Sequence, residues 1–234
     1  MDVVLVPGAW LDGSCWDAVV PRLESAGHRA SPLTLPGMER AAEDRAQVRL
    51  ADQVAAVVAA IDAADGAALL VGHSIGSGIA HQALDARPDR VSRIVHVGGF
   101  PSPDGAALLP GLAAVDGEVA MPDWAEVGEE ANVRDFDRER LARFYAEAIP
   151  QPEHVCTDPV RLTDDRRLEV PATMVCPEYS AVDLRSWVEA GEVPEVAALH
   201  HVDYVDIGGG HWPQLTQPDR LARVLIEVAS RGLD

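Results

Sequence analysis

Lysine is absent from the sequence: all nineteen basic residues of the 234-residue chain are arginines. Schiff-base chemistry, a phosphate-binding P-loop lysine and a lysine general base are therefore excluded. Positive charge is scarce altogether. Thirty-eight acidic residues face those nineteen bases, a formal net charge of -19. Such a surface repels phosphate backbones and anionic lipid, so neither nucleic acid nor a membrane surface is an expected partner. The acids are scattered along the chain and read as solvated helix faces rather than a docking patch. Cysteine is sparse, with Cys15, Cys156 and Cys176 far apart and without ligand spacing. That pattern predicts no metal site and no disulfide framework, and it reads as reduced thiols in a cytoplasmic protein. No apolar run is long enough for a membrane span, and MDVVLVPG has no basic stretch of the kind that opens a signal peptide. No repeat or low-complexity tract interrupts the chain, and its length suits one domain with a sizeable core.

What is present is an alternation of short apolar runs and helical patterns. The runs VVLVPG (3–8), HRASPLTLPG (28–37), AALLVG (67–72), VSRIVHVGG (91–99), PATMVC (171–176) and VDYVDIGG (202–209) predict strands. Helical spacing occupies 17–27, 50–66, the stretch after Ser74, and 218–231; Leu50, Val54, Val57, Val58 and Ile61 share one face. Uniformly apolar strands separated by helices predict a mostly parallel sheet with helices on both faces. Residues 100–170 break the rhythm: rich in Pro, Gly and acids, they show one clear helix, RERLARFYAEAI (138–149), and no strand-like run. The expected organisation is a core of 1–99 and 171–234 with a helical lid at 100–170.

The stretch VGHSIGSG (71–78) places Ser74 between two glycines where a strand runs directly into a helix. A turn so tight demands small neighbours, which Gly72 and Gly76 supply, and Gly78 lets the helix approach the sheet. Ser74 is therefore a candidate nucleophile. A serine hydroxyl needs a positioned base. His211 is the best candidate, because it follows the last strand in VDIGGGHWPQ, where three glycines predict a flexible loop at the ligand-binding edge of the sheet. His73 is expected to point away from the elbow. The Ile75 amide and, from the loop PGAWLDG after the first strand, the Ala9 amide would hold an oxyanion. Trp10 is expected to contact substrate, with Trp16 beside it in the pocket wall.

These residues resemble the α/β-hydrolase superfamily: PGAW stands at the oxyanion loop, GHSIG at the nucleophile elbow and GGGHWP at the histidine loop. The tracts VLVPGAWLDGSCWDAVVPRLESAGH and VGGFPSPDG are similar to the small esterases of the plant methylesterase and hydroxynitrile-lyase branch. Pro7 stands where that pattern has histidine. The resemblance implies the α/β-hydrolase fold and acyl transfer without a cofactor, on a small neutral or hydrophobic ester, lactone or thioester. Relatives with an aspartate or cysteine nucleophile are set aside by Ser74, and the hydroxynitrile lyases by the missing lysine.

The third catalytic member is open at this level. The resemblance puts an acid after the strand that ends at Cys176, but Ser180 occupies the expected position in Pro177-Glu178-Tyr179-Ser180. Glu178 is preferred, since its longer side chain spans the difference. Asp183 and Asp104 are the alternatives, as is a dyad without an acid. Two other functional classes stay open with it: a lyase or cyclase acting on a natural product, and a binding protein that has lost turnover. Turnover of an activated ester separates them from a hydrolase. The sequence leaves oligomeric state undetermined.

Overall fold

The computed structural model describes residues 1–231. Its strands, in chain order, are β1 (Asp2–Val6), β2 (Arg29–Pro32), β3 (Ala68–His73), β4 (Val91–Val97), β5 (Glu118–Val119), β6 (Gln151–Pro152), β7 (Ala172–Cys176) and β8 (Val202–Asp206). Six of them form one all-parallel sheet in the order β2-β1-β3-β4-β7-β8. The order reverses at β1 and β3, so the loops leaving those two strands part and open a crevice at the carboxyl edge, the usual place for a ligand in such sheets.

The inner strands β1, β3, β4 and β7 are largely apolar because both faces are covered. The edge strands β2 (RASP) and β8 (VDYVD) are polar in part and nowhere fully buried. Alternate residues point to opposite sides. Val4, Val6, Leu70 and Ile94 pack on one side against Val57 and Ile61 of α2 (Leu50–Asp62) and Ile79 and Ala83 of α3 (Ile75–Ala86). Val3, Leu5, Leu69, Val71 and Val95 face the other side. They meet Leu23 of α1 (Val20–Ser25) and, from the last helix at Pro218–Arg231, Leu221, Leu225 and Val228. Trp16, fully buried, sits in this second cluster beside Cys15 and Val19. It fills the core and is not a pocket wall; its large ring is best buried under the sheet, where no substrate reaches.

Residues 100–170 run between β4 and β7, and they are less purely helical than their composition suggests. They hold α4 (Arg138–Glu147), α5 (Glu153–Thr157) and the antiparallel pair β5–β6, two residues per strand and too short to leave a period in the sequence. Val119, Ile149, Val155, Cys156 and Val160 join the same apolar cluster as α2 and α3, so the end of the interval belongs to the core packing. A buried polar network fixes it further. Arg167 donates to Glu195 at 2.9 Å and reaches Asp85 of α3 at 3.4 Å, and Asp85 accepts the Thr163 and Asp164 amides at 3.0 and 2.9 Å. The rest of the chain holds α6 (Ala181–Ala190), α7 (Pro194–Ala198), α8 (Pro213–Thr216) and α9 (Pro218–Arg231). No described helix is long and apolar enough to cross a membrane.

Candidate active site

Ser74 connects β3 to α3 with φ 53° and ψ -127°, a conformation that costs an L-residue about 1–3 kcal/mol. Its surroundings hold it there. The Ser74 amide donates to the Val97 carbonyl at 2.9 Å, the Ser77 amide donates to the Ser74 carbonyl at 2.9 Å, and the Ser77 hydroxyl donates to the Gly72 carbonyl at 3.0 Å. A Cβ on Gly72 would lie 2.5 Å from the Gly76 carbonyl oxygen, and one on Gly76 would meet the Pro7 carbonyl. Only glycine fits at either flank. The strained turn lifts the Ser74 side chain out at the start of α3, whose first amides and dipole face the same space.

His211 reaches this hydroxyl from the loop after β8, with its Nε2 2.8 Å from Ser74 Oγ. Its Nδ1 lies 2.6 Å from Glu178 Oε1, in the loop after β7. With Nδ1–H donating to the carboxylate, Nε2 is left as the acceptor toward serine, the tautomer a general base needs. Both side chains are largely buried, at 14 and 16 % exposure, so the pair is little screened by solvent. Asp183 is elsewhere: at the third position of α6 it forms a capping box with Ser180, whose hydroxyl accepts the Asp183 amide at 3.1 Å. Asp104 accepts the Leu162 amide at 2.9 Å. Of the three carboxylates considered from sequence, Glu178 is the one brought to His211. Ser180, at the position where an acid was expected, caps a helix.

Ala9 and Ile75 are both buried, Ile75 in the lining beside Ser74, and among the described residues neither amide donates to a protein acceptor. Trp10 departs from expectation. It is buried, with φ 65°; its indole N–H donates to the Val119 carbonyl at 3.0 Å, and its own carbonyl accepts the Ile149 amide at 2.9 Å. Instead of lining the space beside Ser74, it borders a separate cavity of ≈ 170 Å³ with Phe144 and Leu215. Tied at both ends, Trp10 anchors the loop that carries Ala9. The few aromatics of the chain are concentrated here: Trp124 packs edge-on to Trp10 at 5.7 Å and also meets Trp212, and Phe144 packs on Trp212 at 4.8 Å. Trp212 in turn stands edge-on to the His211 ring at 4.8 Å.

The space at Ser74 itself is a cavity of ≈ 210 Å³ bordered by Ile75, Gly78, Gly99, Phe100, Leu108 and Leu109, with no charged residue in its lining. Leu108 packs against the bare backbone of Gly78.

Sequence reasoning missed what His73 does. Its ring is fully buried and lies beside the His211 ring, 5.0 Å between centroids. Its Nε2 is 2.8 Å from the His211 carbonyl oxygen, and its Nδ1 is 3.1 Å from Gln214 Nε2. The carbonyl can only accept and the amide nitrogen can only donate, so His73 is neutral with its proton on Nε2. Burial, and secondarily the neighbouring charge of His211, push its pKa down to about 3, against the hydrogen bond to the His211 carbonyl. Thiol chemistry is disfavoured at the same edge, where burial first and then the Asp206 and Glu178 charges push the Cys176 thiol up to about 12. All three cysteines are free.

A parallel sheet with a serine on a strained strand-to-helix turn and a histidine–carboxylate pair facing it defines an enzyme of the hydrolase class. The alpha/beta hydrolase family matches residues 3–224, and the chain belongs to that family. Among curated proteins it is 26% identical over 247 residues to a pyrethroid hydrolase of Sphingobium wenxiniae, covering 97% of this chain and 87% of that protein. It is likewise 26% identical over 256 residues to methylesterase 7 of Arabidopsis thaliana, covering 96% and 93%. Among solved structures, an extracellular alpha/beta-hydrolase from a Paenibacillus species has the same fold, with a TM-score of 0.79 at 19% identity over 97% of this chain and 98% of that one.

Proposed function

We propose that this enzyme hydrolyses a small, neutral or hydrophobic carboxylic ester, or the corresponding lactone or thioester, through an acyl-enzyme on Ser74. The observation that carries the reading is the unbroken relay from Glu178 through His211 to Ser74, at 2.6 and 2.8 Å. In the first half-reaction Ser74 Oγ bonds to the carbonyl carbon while its proton passes to His211 Nε2. The carbonyl oxygen becomes an oxyanion that accepts from the Ala9 and Ile75 amides, whose charge stabilisation needs no reorganisation. Glu178 stabilises the imidazolium. The intermediate collapses as the alkoxide leaves with the proton from Nε2, giving acyl-Ser74 and an alcohol. A water then gives its proton to His211 and attacks the acyl carbon, and Ser74 leaves with the proton returned.

The cavity supports this substrate class. A lining without charge offers no partner to a charged acyl or alcohol group, and Phe100, Leu108 and Leu109 favour apolar ones. The names of the curated relatives, a pyrethroid hydrolase and a methylesterase, agree with ester cleavage. On this reading 100–170 is a lid, since Leu108 and Leu109 from it close the cavity over Ser74. The test is covalent labelling. A fluorophosphonate should add one mass increment to the intact protein, mapped to the peptide VGHSIGSG, and Ser74→Ala should remain folded but lose labelling and ester turnover. Labelling at another residue, or turnover surviving in Ser74→Ala, sinks the assignment.

A further inference from the structure

Of the three glycines before His211, Gly209 and Gly210 are packed against other segments instead of lying open. Glycines in open space occur in this chain: a Cβ on Gly105, Gly111 or Gly128 would meet nothing within 4 Å. Gly209 and Gly210 are the opposite case. A Cβ on Gly210 would lie 2.5 Å from the carbonyl oxygen of Asn132 and closer still to Asp135 Oδ1; one on Gly209 would lie 2.9 Å from Asp135 Oδ2. Gly208 and Gly209 also take φ of 59° and 128°, and Gly209 is crowded by Gln217 as well as by Asp135. At Gly210 the glycine is required because another segment is pressed onto its backbone.

That segment is the turn just before α4, and it is bonded to the histidine loop as well as packed on it. The His211 amide donates to the Asn132 carbonyl at 2.7 Å. The Thr216 hydroxyl donates to Asp135 Oδ2 at 2.7 Å and the Gln217 amide group donates to the same oxygen at 3.4 Å. Gln217 also donates to the Gly208 carbonyl. Arg134 reaches the carbonyl of Pro177, the residue before Glu178, at 3.5 Å. One turn thus touches both the loop of the base and the loop of the acid.

We propose that Asp135 is a positioning residue for the base. By accepting from Thr216 and Gln217 it holds the 132–135 turn against Gly209 and Gly210, and the Asn132 carbonyl then fixes the His211 main chain so that its imidazole spans Glu178 and Ser74. The interval 100–170 is on this account part of the machinery that assembles the relay, not only a cover. The inference rests on the reading of His211 as general base. The leverage is large, because displacing a reacting group by about 1 Å can cost roughly 100-fold in rate.

The experiment compares Asp135→Ala, Asp135→Asn and Thr216→Val in the full-length enzyme. It reads kcat and KM on an activated p-nitrophenyl ester, the rate constant of fluorophosphonate labelling, and Tm. Asp135→Ala should lower kcat and the labelling rate in parallel, by about 10- to 100-fold, with KM within about threefold. Thr216→Val, which deletes one donor at constant shape, should lower both by about 3- to 10-fold. Asp135→Asn keeps an acceptor oxygen and should recover to within about fivefold of wild type, a rescue that a role in charge alone would not give. Asp135→Ala within threefold of wild-type kcat, Asp135→Asn as impaired as Asp135→Ala, or a loss confined to KM overturns the proposal. If Asp135→Ala does not fold, an unchanged labelling rate in folded Thr216→Val overturns it. Absence of Ser74 labelling in the wild-type enzyme is a separate result, and it removes the hydrolase reading instead.

Discussion

His73 donates its Nε2–H to the main-chain carbonyl of His211 at 2.8 Å, so the residue next to Ser74 holds the residue that faces Ser74. Gln214 fixes the ring from the other side, at 3.1 Å. The elbow and the histidine loop are therefore one hydrogen-bonded unit, and the 2.8 Å contact between Ser74 and His211 is set from both ends.

His73→Gln and His73→Phe separate that bond from simple packing. A glutamine amide can place a donor near the position of Nε2, whereas phenylalanine fills the space and leaves the His211 carbonyl without it. We expect His73→Phe to lower kcat by about 10- to 100-fold and His73→Gln by about threefold to tenfold. Steady-state kinetics with thermal melts as a control for folding make the comparison. Equal losses in the two variants would mean that the ring's shape, not its donor, is what counts.

The acid is tested by exchanging carboxylates for amides. Glu178→Gln should lower kcat by about two to four decades, because the amide cannot stabilise an imidazolium and favours the wrong tautomer. Asp104→Asn should leave kcat within about threefold, since Asp104 only accepts the Leu162 amide. Asp183→Asn should cost up to about 1 kcal/mol of stability through the α6 cap, with kcat again nearly unchanged. A large drop at Asp104 or Asp183 with a mild one at Glu178 would reassign the acid.

Acid should destabilise the fold beginning near neutrality. Burial lowers the His73 pKa to about 3 and, helped by the His81 charge, holds His96 well below 6.5. Both ring nitrogens of His96 are buried without a partner among the described residues. An unfolded chain would protonate these rings near 6.5 while the folded one would not. Between pH 6.5 and about 3 the unfolded state therefore binds up to two more protons from this pair, and stability falls as pH falls through that window. Tm should be flat between about pH 7 and 8 and decline from pH 6.5 to 5, before the carboxylates with lowered values contribute. His96→Leu should flatten the decline by about one proton. An unchanged slope would assign the acid sensitivity elsewhere.

The sheet, the elbow and the histidine loop were legible because each rests on a local constraint. Apolar runs such as AALLVG announce doubly covered strands, and Gly72 and Gly76 are demanded by a turn spanning a few residues. Glu178 was legible only as one of several acids, because its identity depends on how the chain after β7 curls into the Ser180 cap. What escaped depends on contacts between distant segments. His73 lies at the end of a strand and reads as pointing away from the elbow until Gln214 and His211 are seen beside it. The run GGGH suggests flexibility until the turn at Asn132 is seen against it. Trp10 and Trp16 read alike in sequence. One anchors the loop that carries Ala9 and the other fills the core under the sheet, a difference decided by which face of β1 each folds over.

Substrate length should be set by Leu108. Its side chain lies on the bare backbone of Gly78 and closes the ≈ 210 Å³ cavity beside Ser74. Leu108→Ala removes three carbons from that boundary, and the vacated space is apolar. Each additional methylene that fits into it should gain about 0.8 kcal/mol, roughly fourfold in kcat/KM. Across a series of p-nitrophenyl acyl esters the preferred chain should lengthen by about two carbons, while kcat on the shortest ester stays within about threefold, since the relay is untouched. Gly78→Ala should act in the opposite sense: its new Cβ crowds the Leu108 side chain on the wall of the same cavity, leaving less room and shortening the preferred chain. A length profile that neither exchange moves would mean that Leu108 does not bound the acyl site. The cavity at Ser74 would then be filled by some other part of the substrate.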